Sequence, residues 1–424
     1  MSLSHAAAAP LLLRRRTVAA GVIGNLLEWF DFAVYGYLAA TIAQLFFPAH
    51  DPTNSLIAAL GVFAAGFLMR PLGGLLFGYI GDRHGRPAAL LSSIGAMALA
   101  TLLMGLLPTY ESAGVAASLL MIACRLVQGL AVGGEYACSI VALVETAPTR
   151  RRGAMGSIAC LGATLGTMMG SATGALLFWG LSEEQVDAWG WRLPFLAGVS
   201  VGLAGLYLRC NLVLGEDRPR STLPFFRSFL GEWRAFLRIV GLMIAPSVGF
   251  YMIFLYLVQY LQGIGRIGPG EAFDINTLNM AVLLMVLPAA GHVSDRIGRR
   301  PLMIGALAGL LVLAVPLFTL LHSRDVEDIF FGQLGLTLLL GTSLGLLPVL
   351  LVEQFSLGVR CMAAASSYNV VAGLFGGTAP LLCVYMIELT GNDMMPAYYL
   401  AGASLISLAT AICSRETAFG PLRA

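Results

Sequence analysis

The chain contains no lysine; all 25 of its basic residues are arginine. That absence carries no functional meaning beyond a codon or lineage bias. Charge of either sign is scarce, at 11% of 424 residues, whereas 58% are hydrophobic and the mean hydropathy is +0.82. A soluble domain could not cover its surface with so few polar groups, so this balance excludes one and leaves a multi-span membrane protein. The seven cysteines (Cys124, Cys138, Cys160, Cys210, Cys361, Cys383 and Cys413) show no C-x-x-C spacing and lie mostly in apolar stretches. They read as small buried thiols, not as disulfides or metal ligands. There is also no metal-ligand cluster, no nucleophile–base pair and no nucleotide loop, so an enzyme is not expected. The net charge of +2 shows no nucleic-acid footprint. The apolar segment 6–13 precedes Arg14, Arg15 and Arg16, where a signal peptide would follow its charges, and no cleaved leader is expected.

What the chain does have is length in apolar runs. With ~20 residues per span as the measure, spans fall at about 17–43, 54–80, 88–107, 115–145, 153–179, 191–209, 237–262, 275–293, 301–321, 328–354, 361–388 and 396–414. These are twelve helices, giving an all-α membrane protein. About 20 of the arginines lie in alternate connections and the termini, and only Arg192, Arg266 and Arg324 lie in the others. This positive-inside pattern places both termini in the cytoplasm, in a multi-pass protein of the inner membrane. The longest polar connection, 210–236, divides an N-terminal bundle (1–209) from a C-terminal one (237–424). Within it, residues 224–238 alternate aromatic and arginine positions at helical spacing. They read either as an amphipathic helix on the cytoplasmic leaflet or as an extension of the seventh span.

Residues 24–37 hold two acids where lipid or protein interior is expected. An ionised carboxylate near the bilayer centre costs at least ~2.5–3.5 kcal/mol, so Glu28 and Asp31 imply a polar route or paired partners. With Tyr35 they fall at i, i+3 and i+7 on one helix face. Arg125, midway along the fourth span, must likewise face a cavity or a carboxylate, and Gln128 and Glu135 extend its polar stripe. The rings Trp29, Phe30, Phe32, Tyr35 and Tyr37 around the acids suit cation–π contact with a quaternary ammonium, or plain packing. Arg70 can snorkel, and a structural role is expected of it. On the fifth span, Gly162, Gly166, Gly170 and Gly174 form a small-residue stripe for close helix approach.

The halves repeat each other. G-x-x-x-D-R-x-G-R from Gly78 recurs from Gly291, each copy after the second span of its half, and duplicated six-helix halves suit a transporter that rocks about a midplane site. This motif, with R-L-V-Q-G from Arg125, resembles the signatures of the major facilitator superfamily. G-N-x-x-E-W-F-D-F from Gly24, R-P-L-G-G from Arg70, Q-G-x-x-x-G-G-E-Y from Gln128, W-G-W-R-x-P-F from Trp189 and Y-N…G-G-T-x-P from Tyr368 resemble its metabolite:proton symporter family. D-F-A-V-Y-G-Y and M-M-P-A-Y-Y-L (from Met394) look most like the proline/betaine:proton symporters.

The resemblance implies a major facilitator fold and proton-coupled import of proline or glycine betaine. The alternative cargo is a dicarboxylate or oxo-acid such as 2-oxoglutarate. Proton coupling is expected of Asp31, Glu28, Arg125 and Glu135, with Asp31 the preferred carrier because an arginine stays protonated. Substrate contacts are expected from Arg125, Gln128, Trp29, Tyr35, Tyr136 and Asn369. Arg125 reads as the only well-centred cation, which favours a single carboxylate. A cytoplasmic gate is expected of Asp82, Arg83, Gly85 and Arg86 and of Asp295, Arg296, Gly298, Arg299 and Arg300, its carboxylates capping a helix and pairing with arginines in one state only. Pro87 replaces the final basic residue of the first copy, so the two latches are expected to differ. Thr167 after Gly166, where antiporters place proline, favours symport. No cofactor is implied beyond the proton, and a monomer is expected. Osmosensing members carry a C-terminal coiled coil, so osmotic activation by that device is not expected of a chain ending at Ala424.

Overall fold

The computed structural model describes residues 25–26, 28–84, 86–132, 135–199, 231–263 and 267–423. Among these residues every long element is helical. In order they are α1 (28–46), α2 (Pro52–Leu68 continued by Arg70–His84), α3 (Arg86–Leu106), α4 (Val115–Ala131 continued by Glu135–Glu145), α5 (Arg152–Gly180) and α6 (192–199). Then follow α7 (Trp233–Tyr251, a π-helical turn Met252–Tyr256, and Leu257–Gly263), α8 (Pro269–Ile297), α9 (Arg299–Leu321) and α10 (Val326–Glu353). The chain ends with α11 (Arg360–Val371, a π turn Ala372–Gly376, and Ala379–Thr390) and α12 (Met395–Cys413). Eight of these, α2, α5 and α7 to α12, are long and apolar enough on their own to cross a bilayer. α3 and α4 carry shorter apolar stretches.

Local chemistry starts several of these helices. Asp51 caps α2 by accepting from Thr53 N at 2.9 Å, with Pro52 at its first position. Asp325 caps α10 through Glu327 N at 3.0 Å, and Glu271 reaches back to Gly268 N at the start of α8. At 29 residues each, α5 and α8 are about 43 Å long. They outreach a ~30 Å hydrocarbon core, which leaves their ends in the polar interface. Residues 233–238 continue directly into α7, so this part of the predicted surface helix belongs to the seventh span. Residues 224–230 of that stretch lie outside the described residues.

Glycines set how closely the helices approach. The α5 stripe receives α1: a Cβ on Gly166 would strike Leu26 O, and one on Gly170 would press on Ala33 at 3.1 Å. Further along, Gly174 faces the Phe273 ring of α8. α2 and α4 touch backbone to backbone at Gly66 and Gly129, where a Cβ on Gly129 would overlap Gly66 O. α5 and α8 cross at Gly153 and Gly291, each placed where an added Cβ would strike the other's carbonyl oxygen. N-terminal and C-terminal helices thus meet along α5 and α8 and along α2 and α11. The end carrying the α2–α3 and α8–α9 connections is called the loop end below.

Candidate functional site

A narrow cavity with room for about one water molecule lies between α1, α2, α4 and α11, lined by Glu28, Trp29, Arg70, Tyr136, Tyr368 and Asn369 among others. Its wall is aromatic: Trp29 meets Tyr136 edge-on at 6.0 Å and stacks on Tyr251 at 6.2 Å, and Tyr136 lies 4.8 Å from Tyr368. Arg70 is 1% exposed, its guanidinium 4.1 Å from the Phe67 ring, 4.8 Å from Phe32 and 5.6 Å from Trp29. A cation so buried leans on ring faces in place of water. One cavity therefore holds a guanidinium, a carboxylate and a ring of aromatic faces.

One shell away, Arg125 is fully buried, with its guanidinium 4.2 Å from Phe32, 4.4 Å from Tyr35 and 5.0 Å from Phe63. Its Nη1 donates to Gln128 Oε1 at 2.8 Å, Gln128 Nε2 donates to Thr101 Oγ1 at 2.9 Å, and Thr101 Oγ1 lies 3.0 Å from Asp31 Oδ2. Asp31 and Arg125 are thus joined through Gln128 and Thr101; among the described residues they form no direct ion pair. The other carboxyl oxygen, Asp31 Oδ1, has no hydrogen-bond partner among the described residues and faces Gly198 of α6, where an added Cβ would lie 2.5 Å from it.

The two ends of the bundle are closed by different chemistry. At the loop end Asp295 accepts from Gly153 N at 2.9 Å and Ala154 N at 3.0 Å, capping α5 from the other half of the chain. The same carboxylate pairs with Arg299 at 2.8 Å, and Arg299 also reaches Glu353 at 3.4 Å. Arg360 at the start of α11 pairs with Glu145 at the end of α4 at 2.8 Å. Residues 414–423 lace this end together. Glu416 accepts from Arg299 N, Arg300 N, Thr417 N and Ala418 N, each at 2.9 Å. Thr417 donates to Glu353, Arg152 to Gly420 O and Arg360 to Arg423 O. Burial pushes the Glu416 carboxyl up, but its backbone N–H donors outweigh that and hold it below the ordinary 4.5. Gly298, at φ 106°, lies where a Cβ would come within 2.5 Å of Glu416 Oε2. At the opposite end the hydrogen bonds that line the seam are between neutral groups. Tyr37 donates to Phe254 O at 2.7 Å, Gln259 to Gly36 O at 2.6 Å, Asn276 to Phe254 O at 3.1 Å and Gln333 to Ile253 O at 3.2 Å. The Phe254 and Ile253 carbonyls belong to the π turn of α7, whose wider pitch frees them for side chains of α1, α8 and α10, whereas Gly36 O is a carbonyl of α1 reached from α7.

The Major Facilitator Superfamily profile matches residues 21–381. The chain belongs to the Major Facilitator Superfamily. The proline/betaine transporter of Salmonella typhimurium is 36% identical over 428 residues, covering 96% of this chain and 85% of that one. A glycine betaine/proline/ectoine/pipecolic acid transporter of Dickeya dadantii is 36% identical over 425 residues, with the same coverage of both. Among solved structures, a D-xylose–proton symporter superposes with a TM-score of 0.76 at 17% identity, covering 95% of this chain and 98% of that one. The fold is thus the twelve-helix fold of the superfamily, and the chain is a multi-pass membrane transporter, not an enzyme.

Within this superfamily fold the residues named from sequence separate into groups. Trp29, Tyr136, Asn369 and Glu28 meet at the cavity. Arg125, Gln128 and Tyr35 do not: Tyr35 donates to Ala59 O at 3.0 Å, and Arg125 with Gln128 turns toward Thr101. The expectation of a single well-centred cation needs correction, because Arg70 is equally buried and lines the cavity itself. In the second loop motif Asp295, Gly298, Arg299 and Arg300 join the loop-end cluster, whereas Arg296 is exposed. In the first copy Arg83 donates to Tyr79 at the surface. Gly85, and the side chains of Asp82, Arg86 and Glu135, lie outside the described part. Sequence reasoning missed Thr101, which reads as filler in an apolar run, and Glu145, Glu353, Arg360 and Glu416, which read as helix-end charges.

Proposed function

We propose that this protein imports a small zwitterion of the betaine or proline type together with protons across the inner membrane, with both termini cytoplasmic. The observation that carries this reading is the pairing of Arg70 with Glu28 in one narrow, aromatic-walled cavity. When the halves part and widen this cavity, a zwitterion presents its carboxylate to the guanidinium and its ammonium to the rings and to Glu28. Each cation–π contact is worth ~0.5–2 kcal/mol, and the bound molecule adds no net charge to a site from which water is excluded. A dicarboxylate would set its second anion against Glu28, which disfavours the oxo-acid cargo. The names of the relatives support the same substrate class.

Asp31 carries the proton in this reading. It lies apart from the cavity, and the Phe32 ring, touched by both Arg70 and Arg125, lies between substrate site and proton site. The six-helix halves, 1–209 and 237–424, rock against each other as a monomer. The loop-end ionic cluster opens for release inward, and the Tyr37–Phe254 end opens for loading.

The test is uptake of radiolabelled glycine betaine, proline and 2-oxoglutarate into proteoliposomes with and without an inward proton gradient. Gradient-dependent accumulation of the zwitterions is expected, while accumulation of 2-oxoglutarate alone would overturn the substrate class. Arg70→Gln should raise the KM for betaine at least tenfold, since a charge-assisted hydrogen bond is worth about 1.5–3 kcal/mol. An unchanged KM would remove Arg70 from the site.

A further inference from the structure

We infer that Thr101 is the positioning residue for the transported proton, a two-way hydrogen-bond partner that satisfies the Asp31 carboxyl both empty and loaded. The inference rests on the reading of Asp31 as the carrier. Three groups surround the Thr101 hydroxyl: Asp31 Oδ2 at 3.0 Å, Met97 O at 3.0 Å and Gln128 Nε2 at 2.9 Å. A hydroxyl has one proton to give and two lone pairs to offer. Gln128, whose own oxygen is occupied by Arg125 Nη1, is a donor in either state and takes one lone pair.

The remaining proton and lone pair can be arranged in two ways. With Asp31 ionised, Thr101 donates to Oδ2. When a proton binds Oδ2, Asp31 becomes the donor to the second lone pair, and the Thr101 proton swings to Met97 O. One proton enters and none leaves; only a hydroxyl rotates. A buried carboxyl can then load and unload without stranding a polar group, a loss that costs most where water is absent.

The other side of the carboxyl offers no substitute. Oδ1 has no hydrogen-bond partner among the described residues, and the Gly198 backbone of α6 covers it so closely that an added Cβ would lie 2.5 Å away. Among the described residues, Arg125 of α4 and Arg70 of α2 lie against the Phe32 ring next to Asp31, Glu28 precedes it by one turn on α1 and lines the cavity, and Arg83, Glu145 and Arg192 are engaged at the helix ends. α3 and α6 turn Thr101 and Gly198 to it. Among the described residues, all hydrogen bonding of this carboxyl therefore runs through one hydroxyl, and through it to Gln128 and Arg125.

The experiment compares Thr101→Val, which keeps the shape and removes the hydroxyl, with Thr101→Ser, which keeps the hydroxyl. Both are reconstituted beside wild type and Asp31→Asn. Gradient-driven accumulation of glycine betaine and its counterflow without a gradient are measured across a range of pH. For T101V the ratio of accumulation to counterflow should fall at least tenfold. Its half-maximal pH should rise by about one unit, because the ionised carboxylate loses a charge-assisted bond and the protonated form a weaker neutral one. T101S should restore both readouts to within about twofold of wild type. If T101V is not recovered as monodisperse protein, Thr101→Ala, which adds no new branch, takes its place. A wild-type ratio and midpoint in the hydroxyl-free variant, or a T101S that fails as T101V does, would overturn the inference. Wild-type accumulation by D31N would instead remove Asp31 as the carrier, and the inference with it.

Discussion

The loop-end latch can be tested by Asp295→Asn. Asp295 binds the first turn of α5 through two charge-assisted bonds, from Gly153 N at 2.9 Å and Ala154 N at 3.0 Å, and these cross between the halves. Its pair with Arg299 is internal to the α8–α9 corner and does not distinguish open from closed. Asparagine keeps one acceptor oxygen and turns an amide toward the second N–H. The loss is therefore one charge-assisted bond of about 1.5–3 kcal/mol, plus roughly 0.5 kcal/mol of attraction to the helix N-terminus. At about 1.4 kcal/mol per factor of ten, roughly 2–3.5 kcal/mol moves the equilibrium away from the closed loop end by roughly 30- to 300-fold. Spin labels at Arg151 and His292, exposed positions either side of the seam, in a cysteine-free background report the separation by pulsed electron resonance. Wild type should give one short distance and D295N a second, longer population. An unchanged distance distribution with a lowered melting temperature would make Asp295 a staple and not a latch.

Two further outcomes follow from the same geometry. Glu416 is held below 4.5 by its backbone donors, so its contribution is fully present above that value and is lost as pH falls through the lower folded value; hydrogen exchange of residues 414–423 should rise several-fold in acid, and Glu416→Gln should show the same release at neutral pH. Gly129→Ala places a methyl group into Gly66 O, a backbone atom with no rotamer to yield; a loss of at least about 3 kcal/mol is expected, read as a collapsed monodisperse peak in fluorescence-detected size exclusion.

The helices and the repeated motif were legible because membrane burial writes itself into long apolar runs and because the same loop chemistry occurs twice. The acids in α1 and Arg125 stood out because charge in an apolar helix is costly. Which arginine reaches the cavity was not legible: Arg70 sits beside a proline in the cytoplasmic half of the predicted second span, where snorkelling is the ordinary expectation, and only the packing of Trp29, Phe32 and Phe67 around it shows otherwise. The π turns left no mark either, since Met252–Tyr256 and Ala372–Gly376 read as continuous apolar helix. Thr101 was invisible for a similar reason, because a single hydroxyl between apolar neighbours gains meaning only from what stands opposite. The loop-end lacing depends on contacts between positions more than 100 residues apart, such as Arg299 N to Glu416, and no local pattern encodes them.

The crossing of α5 and α8 at Gly153 and Gly291 sets how such a machine moves. A seam of interlocked leucines would have to unmesh, exposing apolar surface at about 25 cal/mol per Å² and freeing clamped rotamers at every stroke. Here the facing surfaces are bare backbone, with the hydroxyls of Ser157 and Ser294 beside it. When the seam parts, water wets groups that already accept hydrogen bonds, and when it closes few side chains must be re-registered. In the proposed rocking cycle the crossing would serve as a low-friction bearing, leaving the charged clasp at its rim to set the pace.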